Sequence, residues 1–135
     1  MDLMRIEPDK ERAKSLLKLA LLRFTKIAQF DIKTESSLIA ESYYETAKEL
    51  ITALLFTDGH KTLSHKDLVE YLTINYADKF SESEINNLDS LRKRRNSIVY
   101  YGVFVDVNYI QRNKDIFEAI INKLKKEVER KTGGM

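Results

Sequence analysis

Cysteine is missing from this 135-residue chain, and proline occurs once, at Pro8. Without thiols there is no disulfide framework, no thiolate zinc site and no cysteine nucleophile. Glycine is nearly as scarce: Gly59, Gly102 and the adjacent pair Gly133 and Gly134. So few breakers favour long helices over short strands joined by tight turns. Four glycines so placed also cannot form a phosphate loop or a dinucleotide-binding fingerprint. No apolar run of about 18 residues occurs, so no membrane-spanning segment is expected. The opening MDLMRIEPDKERAK is charged throughout and lacks the apolar centre of a signal peptide. A cytoplasmic location is the expectation.

What is present is an ordinary balance, 43% hydrophobic and 33% charged residues, which suits one domain able to bury a core without cross-links. The net charge of +2 is too small to require a nucleic-acid partner. Its distribution says more. Between residues 35 and 56 the charges are Glu35, Glu41, Glu45 and Glu49 against Lys48 alone, whereas residues 92–95 form the basic block Arg92-Lys93-Arg94-Arg95. Lys123, Lys125, Lys126, Arg130 and Lys131 make the last segment basic as well. Such runs read first as solvated faces.

Hydrophobic spacing predicts five helices. The first runs from about Pro8 to Gln29 on a stripe that includes Leu16, Leu17, Leu21 and Phe24. The second starts with Thr34 as N-cap, runs to about Phe56 along Ile39, Tyr43, Ala47, Leu50 and Leu54, and stops at Gly59. A short third helix follows Ser64. Ser81 and Glu84 form a capping box for the fourth, which runs to about Tyr100 and stops at Gly102. VFVDV is β-branched, but one short run makes no sheet. The fifth helix runs from about Val107 to Lys131. The fold class is therefore all-α: an antiparallel, up-and-down four-helix bundle with one short additional helix, spanning residues 1–135 as a single domain. Residues 1–7 and 132–135 are expected to be flexible ends.

On the fourth helix the apolar positions are Ile85, Leu88, Leu91, Ile98 and Val99. Arg95 falls in the gap, four residues after Leu91 and three before Ile98, on the same face as Leu88, Leu91 and Val99. One reading has Arg95 snorkelling to the rim or pairing with a glutamate of the second helix. The other has the helix lining a cleft or dimer interface, with Arg95 as a bidentate phosphate donor and Asn96 contacting the same ligand. Periodicity alone does not choose between them.

LRKRRNSIVYYG resembles the signature region of the HEPN superfamily, small helical bundles of archaea and bacteria. The family motif is an arginine, usually followed by a polar residue such as asparagine, with a histidine five positions after the arginine. Arg95 matches the arginine and Asn96 the polar residue. The resemblance also covers the layout: two long helices, a loop with a short helix, the motif late in the fourth helix, and a closing helix. It implies a homodimer whose paired motifs meet in one cleft. Many HEPN proteins are metal-independent endoribonucleases; others bind nucleotides or partner proteins, and some pair with a small nucleotidyltransferase in toxin–antitoxin modules.

The departure lies at Tyr100, where the motif histidine is expected. An unperturbed phenol titrates near ~10 and an imidazole near ~6.5, so a tyrosine there does not exchange protons readily at neutral pH. In one HEPN subgroup a tyrosine two residues beyond the histidine is modified by the partner enzyme; Gly102 occupies that place here, with Tyr101 merely adjacent. The resemblance thus implies binding of RNA, a nucleotide or a partner nucleotidyltransferase. Arg95, Asn96, Tyr100, Tyr101 and Arg92 are the candidate ligand contacts, and Arg95 and Tyr100 the only catalytic candidates. An unconventional metal-independent ribonuclease and a purely structural interaction protein are the alternatives.

No cofactor is expected, and no metal. His60 and His65, the only histidines, lie five apart across a loop and the start of the third helix, beside Lys61 and Lys66, which repel a cation, and they read as solvated. Tyr43 and Tyr44 read as core with hydroxyls at its rim, one of them able to reach Arg95 or a bound base. Ser42 has no histidine and carboxylate beside it to make it a nucleophile.

Overall fold

A computed structural model describes residues 1–133 of the chain. The elements are β1 (Met4–Arg5), α1 (Lys10–Lys26), α2 (Ser36–Asp58), β2 (His60–Lys61), α3 (His65–Asn75), α4 (Glu82–Tyr101) and α5 (Val107–Thr132). The fold is all-α, as the sequence predicts: four long helices form a bundle and α3 is a short addition. α2 is the hub. It packs against each of the other four helices, whereas α1 and α4 do not touch. Its side chains Ala40, Leu50, Ala53 and Leu54 are fully buried. Among the described residues no helix is long and apolar enough to cross a membrane.

Local chemistry sets the boundaries. The Asp9 carboxylate caps α1 by accepting from the Arg12 N–H at 2.9 Å, and its last residues tighten into a 3-10 turn, Ile27–Gln29. Ser81 accepts from the Glu84 N–H at 3.1 Å while Glu84 accepts from the Ser81 N–H at 2.9 Å, the capping box the sequence announces. α4 ends at Gly102 (φ 64°), whose N–H reaches the Ile98 carbonyl at 3.1 Å.

Thr34, expected as the cap of α2, is displaced. The helix begins at Ser36 with Glu35 in the cap position, and the Glu35 carboxylate folds back onto the Asp31 N–H at 2.7 Å. The serines that follow have another task. The Ser36 hydroxyl donates to the Val105 carbonyl at 2.7 Å, and the Val105 N–H donates to Ser37 Oγ at 2.9 Å. Residues 102–106, between α4 and α5, are thereby stapled to the start of α2. The VFVDV run contributes no strand.

The first seven residues, expected to be a flexible end, carry backbone pairing to the segment that follows α2. Met4 pairs with Lys61 and Arg5 with His60 in a two-stranded antiparallel ribbon, and the Ile6 N–H donates to the Gly59 carbonyl at 2.9 Å. The Asp2 N–H reaches the Asp67 carboxylate at 3.1 Å. At the other terminus Thr132 is buried and helical; Gly134 and Met135 lie outside the described residues.

Two polar clamps complete the bundle. Arg23 on α1 makes a bidentate pair with buried Glu49 on α2, both bonds at 3.0 Å. At the C-terminal end of α2, Asp58 accepts from Tyr71 at 2.6 Å and from Tyr76 at 2.8 Å, and pairs with Lys131 of α5. Burial pushes the Lys131 ammonium below its ordinary pKa and the Tyr71 phenol above its own.

Candidate functional site

α4 changes character along its length. Leu88 and Leu91 are buried and Ile85 packs against the core, but beyond Leu91 the helix emerges. Val99, which the sequence places on the apolar stripe, is 43% exposed, a departure from the predicted core face. Tyr100 is 64% exposed, Tyr101 81% and Phe104 85%. A run of apolar and aromatic residues thus stands in solvent at the end of α4, its backbone stapled through Val105 to Ser36 and Ser37.

Arg95 sits where the helix leaves the core. Its guanidinium meets Glu45 of α2 at 3.0 Å, with side-chain exposures of 12% and 15%, and a second N–H of Arg95 donates to Asn96 Oδ1 at 3.2 Å. The guanidinium also lies over two rings, Tyr44 at 5.7 Å and Tyr100 at 5.8 Å. The geometry of an arginine paired with a glutamate of the second helix is therefore present.

Glu45 is shared. Lys48 binds its other oxygen at 2.6 Å. Burial alone pushes the Glu45 carboxyl up, but the bonds and charges of Lys48 and Arg95 outweigh it and hold the group below the usual carboxylate range. Asp89 behaves in the same way: burial raises it, while Arg92 at 2.9 Å and Lys93 at 3.4 Å bring it down. Arg94 turns aside onto the Tyr109 ring at 5.1 Å.

The residue whose role the sequence did not show is His65. It stands at the start of α3, as expected, but it is half-buried rather than simply solvated, and its Nδ1 is 2.9 Å from the hydroxyl of buried Tyr44. The two rings lie 5.6 Å apart at 34°. Burial lowers the pKa of His65, and the charges of Arg95, Lys48 and Arg92 lower it further, with Glu45 opposing them. Burial raises the Tyr44 phenol well above its ordinary value, although Arg95 and Arg92 act against it. Both shifts favour the uncharged pair, a protonated phenol against a neutral imidazole, joined by this one hydrogen bond. Neither tyrosine hydroxyl of the Tyr43–Tyr44 pair reaches Arg95, since Tyr43 bonds Glu118 at 2.9 Å. His60 is partly buried and packs edge-on against Tyr71.

The structure thus brings together Arg95, Asn96, Tyr100 and, one turn back, Arg92, and leaves Tyr101 pointing to solvent. It adds Tyr44, Glu45, Lys48, Asp89 and His65. Sequence spacing gave no signal for His65, because the contact joins residues 21 apart on different helices. Two grooves occur elsewhere, one of about 530 Å³ bordered by Phe24, Ile39, Tyr43 and Ile110, the other of about 640 Å³ along Leu17, Leu21 and Leu22. Neither includes α4. Among the described residues no three His, Asp or Glu side chains gather as metal ligands. Comparison with protein-family models, with curated proteins and with solved structures gives no match.

Proposed function

We propose that this protein acts as a homodimer that binds RNA or a nucleotide through the emergent half of α4, in the manner of the HEPN superfamily. The observation that supports the reading is the placement of exposed Tyr100 against the Arg95 guanidinium, on a helix whose preceding turn carries Arg92 and Lys93. Clustered cations hold phosphates, and exposed rings give bases a surface to stack on. In this reading Arg95 holds the phosphate, Asn96 orients the guanidinium, and Tyr100 offers a hydroxyl where the family carries histidine. The exposed run of Val99, Tyr101, Val103 and Phe104 is the type of surface that a second copy, or a partner nucleotidyltransferase, covers. α4 contributes no histidine of its own, so binding rather than efficient catalysis is the function assigned to this face.

The test is fluorescence anisotropy with labelled single-stranded RNA in excess chelator, alongside sedimentation at micromolar protein. Saturable binding weakened at least tenfold by Arg92→Ala with Arg95→Ala supports the reading. A monomer removes the shared cleft. Cleavage of the RNA that disappears in Arg95→Ala replaces it with a metal-independent endoribonuclease. A second reading, a purely structural interaction protein, is favoured by the Arg95–Glu45 pair. In that case Arg95→Ala lowers the melting temperature while no RNA or nucleotide raises that of the wild type.

A further inference from the structure

Two carboxylates in this site serve four cations. Glu45 is shared by Lys48 and Arg95, and Asp89 by Arg92 and Lys93. In these contacts the cations outnumber the carboxylates by two, and all but Lys93 are partly withdrawn from water. Beside the patch stands the imidazole of His65. Tyr44 joins the two: its ring lies 5.7 Å from the Arg95 guanidinium and 5.6 Å from the His65 ring, and its hydroxyl is fixed on His65 Nδ1 at 2.9 Å. That bond orients the ring and leaves its other nitrogen, Nε2, facing away from the Tyr44 hydroxyl.

We propose that His65 is a phosphate ligand of this site: its Nε2–H bonds a phosphate oxygen held by Arg95 and Arg92, and binding draws one proton onto Nδ1. Phosphate capture and protonation of the ring are then one event. On protonation Nδ1–H becomes the donor and the Tyr44 oxygen the acceptor, so the hydrogen bond survives with its direction reversed. No covalent bond forms or breaks, and the proton comes from solvent.

The electrostatics give the reason for the coupling. The charges that act on His65 are Glu45 and Lys48 from α2 and Arg92 and Arg95 from α4, while Tyr44 bonds its ring and itself feels Asp89. Lys66 and Asp67 follow His65 on its own helix. Burial, and then three cations against Glu45, disfavour the charged ring. A phosphate placed among Arg92, Arg95 and His65 reverses that balance, since an anion in contact favours the charged ring. The ligand class is a phosphodiester or another tetrahedral oxyanion. The inference rests on the α4 binding face proposed above and adds to it a ligand from another helix and a dependence on pH.

The test uses two probes that do not titrate near neutrality, a uridine hexanucleotide and inorganic sulfate, so that any proton taken up belongs to the protein. Calorimetry at pH 7 in two buffers of different ionisation enthalpy reads the uptake directly. The chain has two histidines, so ring NMR signals separate His65 from His60, which serves as internal reference. The expected result is proton uptake on binding, with affinity falling by up to about tenfold per pH unit above neutrality. The His65 ring alone should become charged, and His65→Gln should bind without pH dependence. Binding by hexanucleotide but not sulfate assigns the site to RNA; binding by both assigns it to the oxyanion itself, and either supports the inference if uptake is seen. Binding without uptake, with the His65 signals unmoved, overturns the inference and leaves the α4 binding face standing. No binding of either probe at any pH overturns both. The wild-type NMR titration decides alone if His65→Gln does not fold.

Discussion

Arg95 and Glu45 meet across the α2–α4 contact at 3.0 Å with most of both side chains withdrawn from water. The guanidinium that interrupts the apolar stripe of α4 is thus neither a packing error nor a free charge. It is one of two cations on a single carboxylate, the other being Lys48. That sharing makes the two partners unequal.

Glu45→Gln should therefore destabilise the protein more than Arg95→Ala does. Removing the carboxylate strands two cations against each other, whereas removing Arg95 leaves Glu45 with Lys48. A loss of about 1–3 kcal/mol for Glu45→Gln, and a smaller one for Arg95→Ala, is expected from urea unfolding. The same Glu45→Gln change frees Arg95 and should tighten RNA binding. Equal losses for the two variants would show that the sharing has no energetic weight.

Acid should lower the melting temperature in two stages. His65 has a depressed pKa in the fold, so the unfolded chain takes up its proton first as pH falls through the ordinary value near ~6.5. Stability present above that pH is lost on the way down to the folded value. Glu45 and Asp89 are also depressed, and their contribution is present above the usual carboxylate range and lost below it. Thermal melts from pH 8 to pH 3 should show both stages in the wild type and only the lower one in His65→Gln.

Ser36→Ala and Ser37→Ala should separate in hydrogen exchange. Ser37 accepts from the Val105 N–H, so its removal exposes that amide to exchange. Ser36 donates to the Val105 carbonyl, so its removal leaves the amide protected. Each change should cost about 1–2 kcal/mol, since each orphans a buried partner.

Gly59→Ala should be the more damaging of two glycine substitutions. At Gly102 (φ 64°) a Cβ meets nothing within 4 Å, so only the left-handed backbone resists, at about 1 kcal/mol. At Gly59 (φ 82°) the same strain is joined by the Ile6 carbonyl at 3.0 Å. Denaturation midpoints should fall further for Gly59→Ala, with loss of the β1–β2 pairing visible by NMR.

Helix periodicity and capping chemistry carried most of the fold. Ser81–Glu84, Gly59 and Gly102 bound their helices where the sequence places them, because those signals are local and need no tertiary partner. Thr34 misled because the cap it offers competes with Glu35 folding back onto Asp31. β1 and β2 were invisible, two residues each being too short to show alternation. At the site, Arg95 stood out as a charge on an apolar stripe, and its glutamate partner was among those named. His65 did not, since nothing near it in sequence foretells that Tyr44, on another helix, will take up its ring nitrogen.

The pairing of β1 with β2 bears on the order in which the molecule assembles. Closing a loop of roughly 55 residues for a four-residue ribbon is entropically expensive and returns few bonds. This corner should form after the bundle and open before it, while α2 and α5 stay shut. Thr62 and Asp67 tie the same corner to Asp2, and His65 stands between them in the chain. The approach of this histidine to Tyr44 should therefore follow the opening of that corner rather than of the bundle.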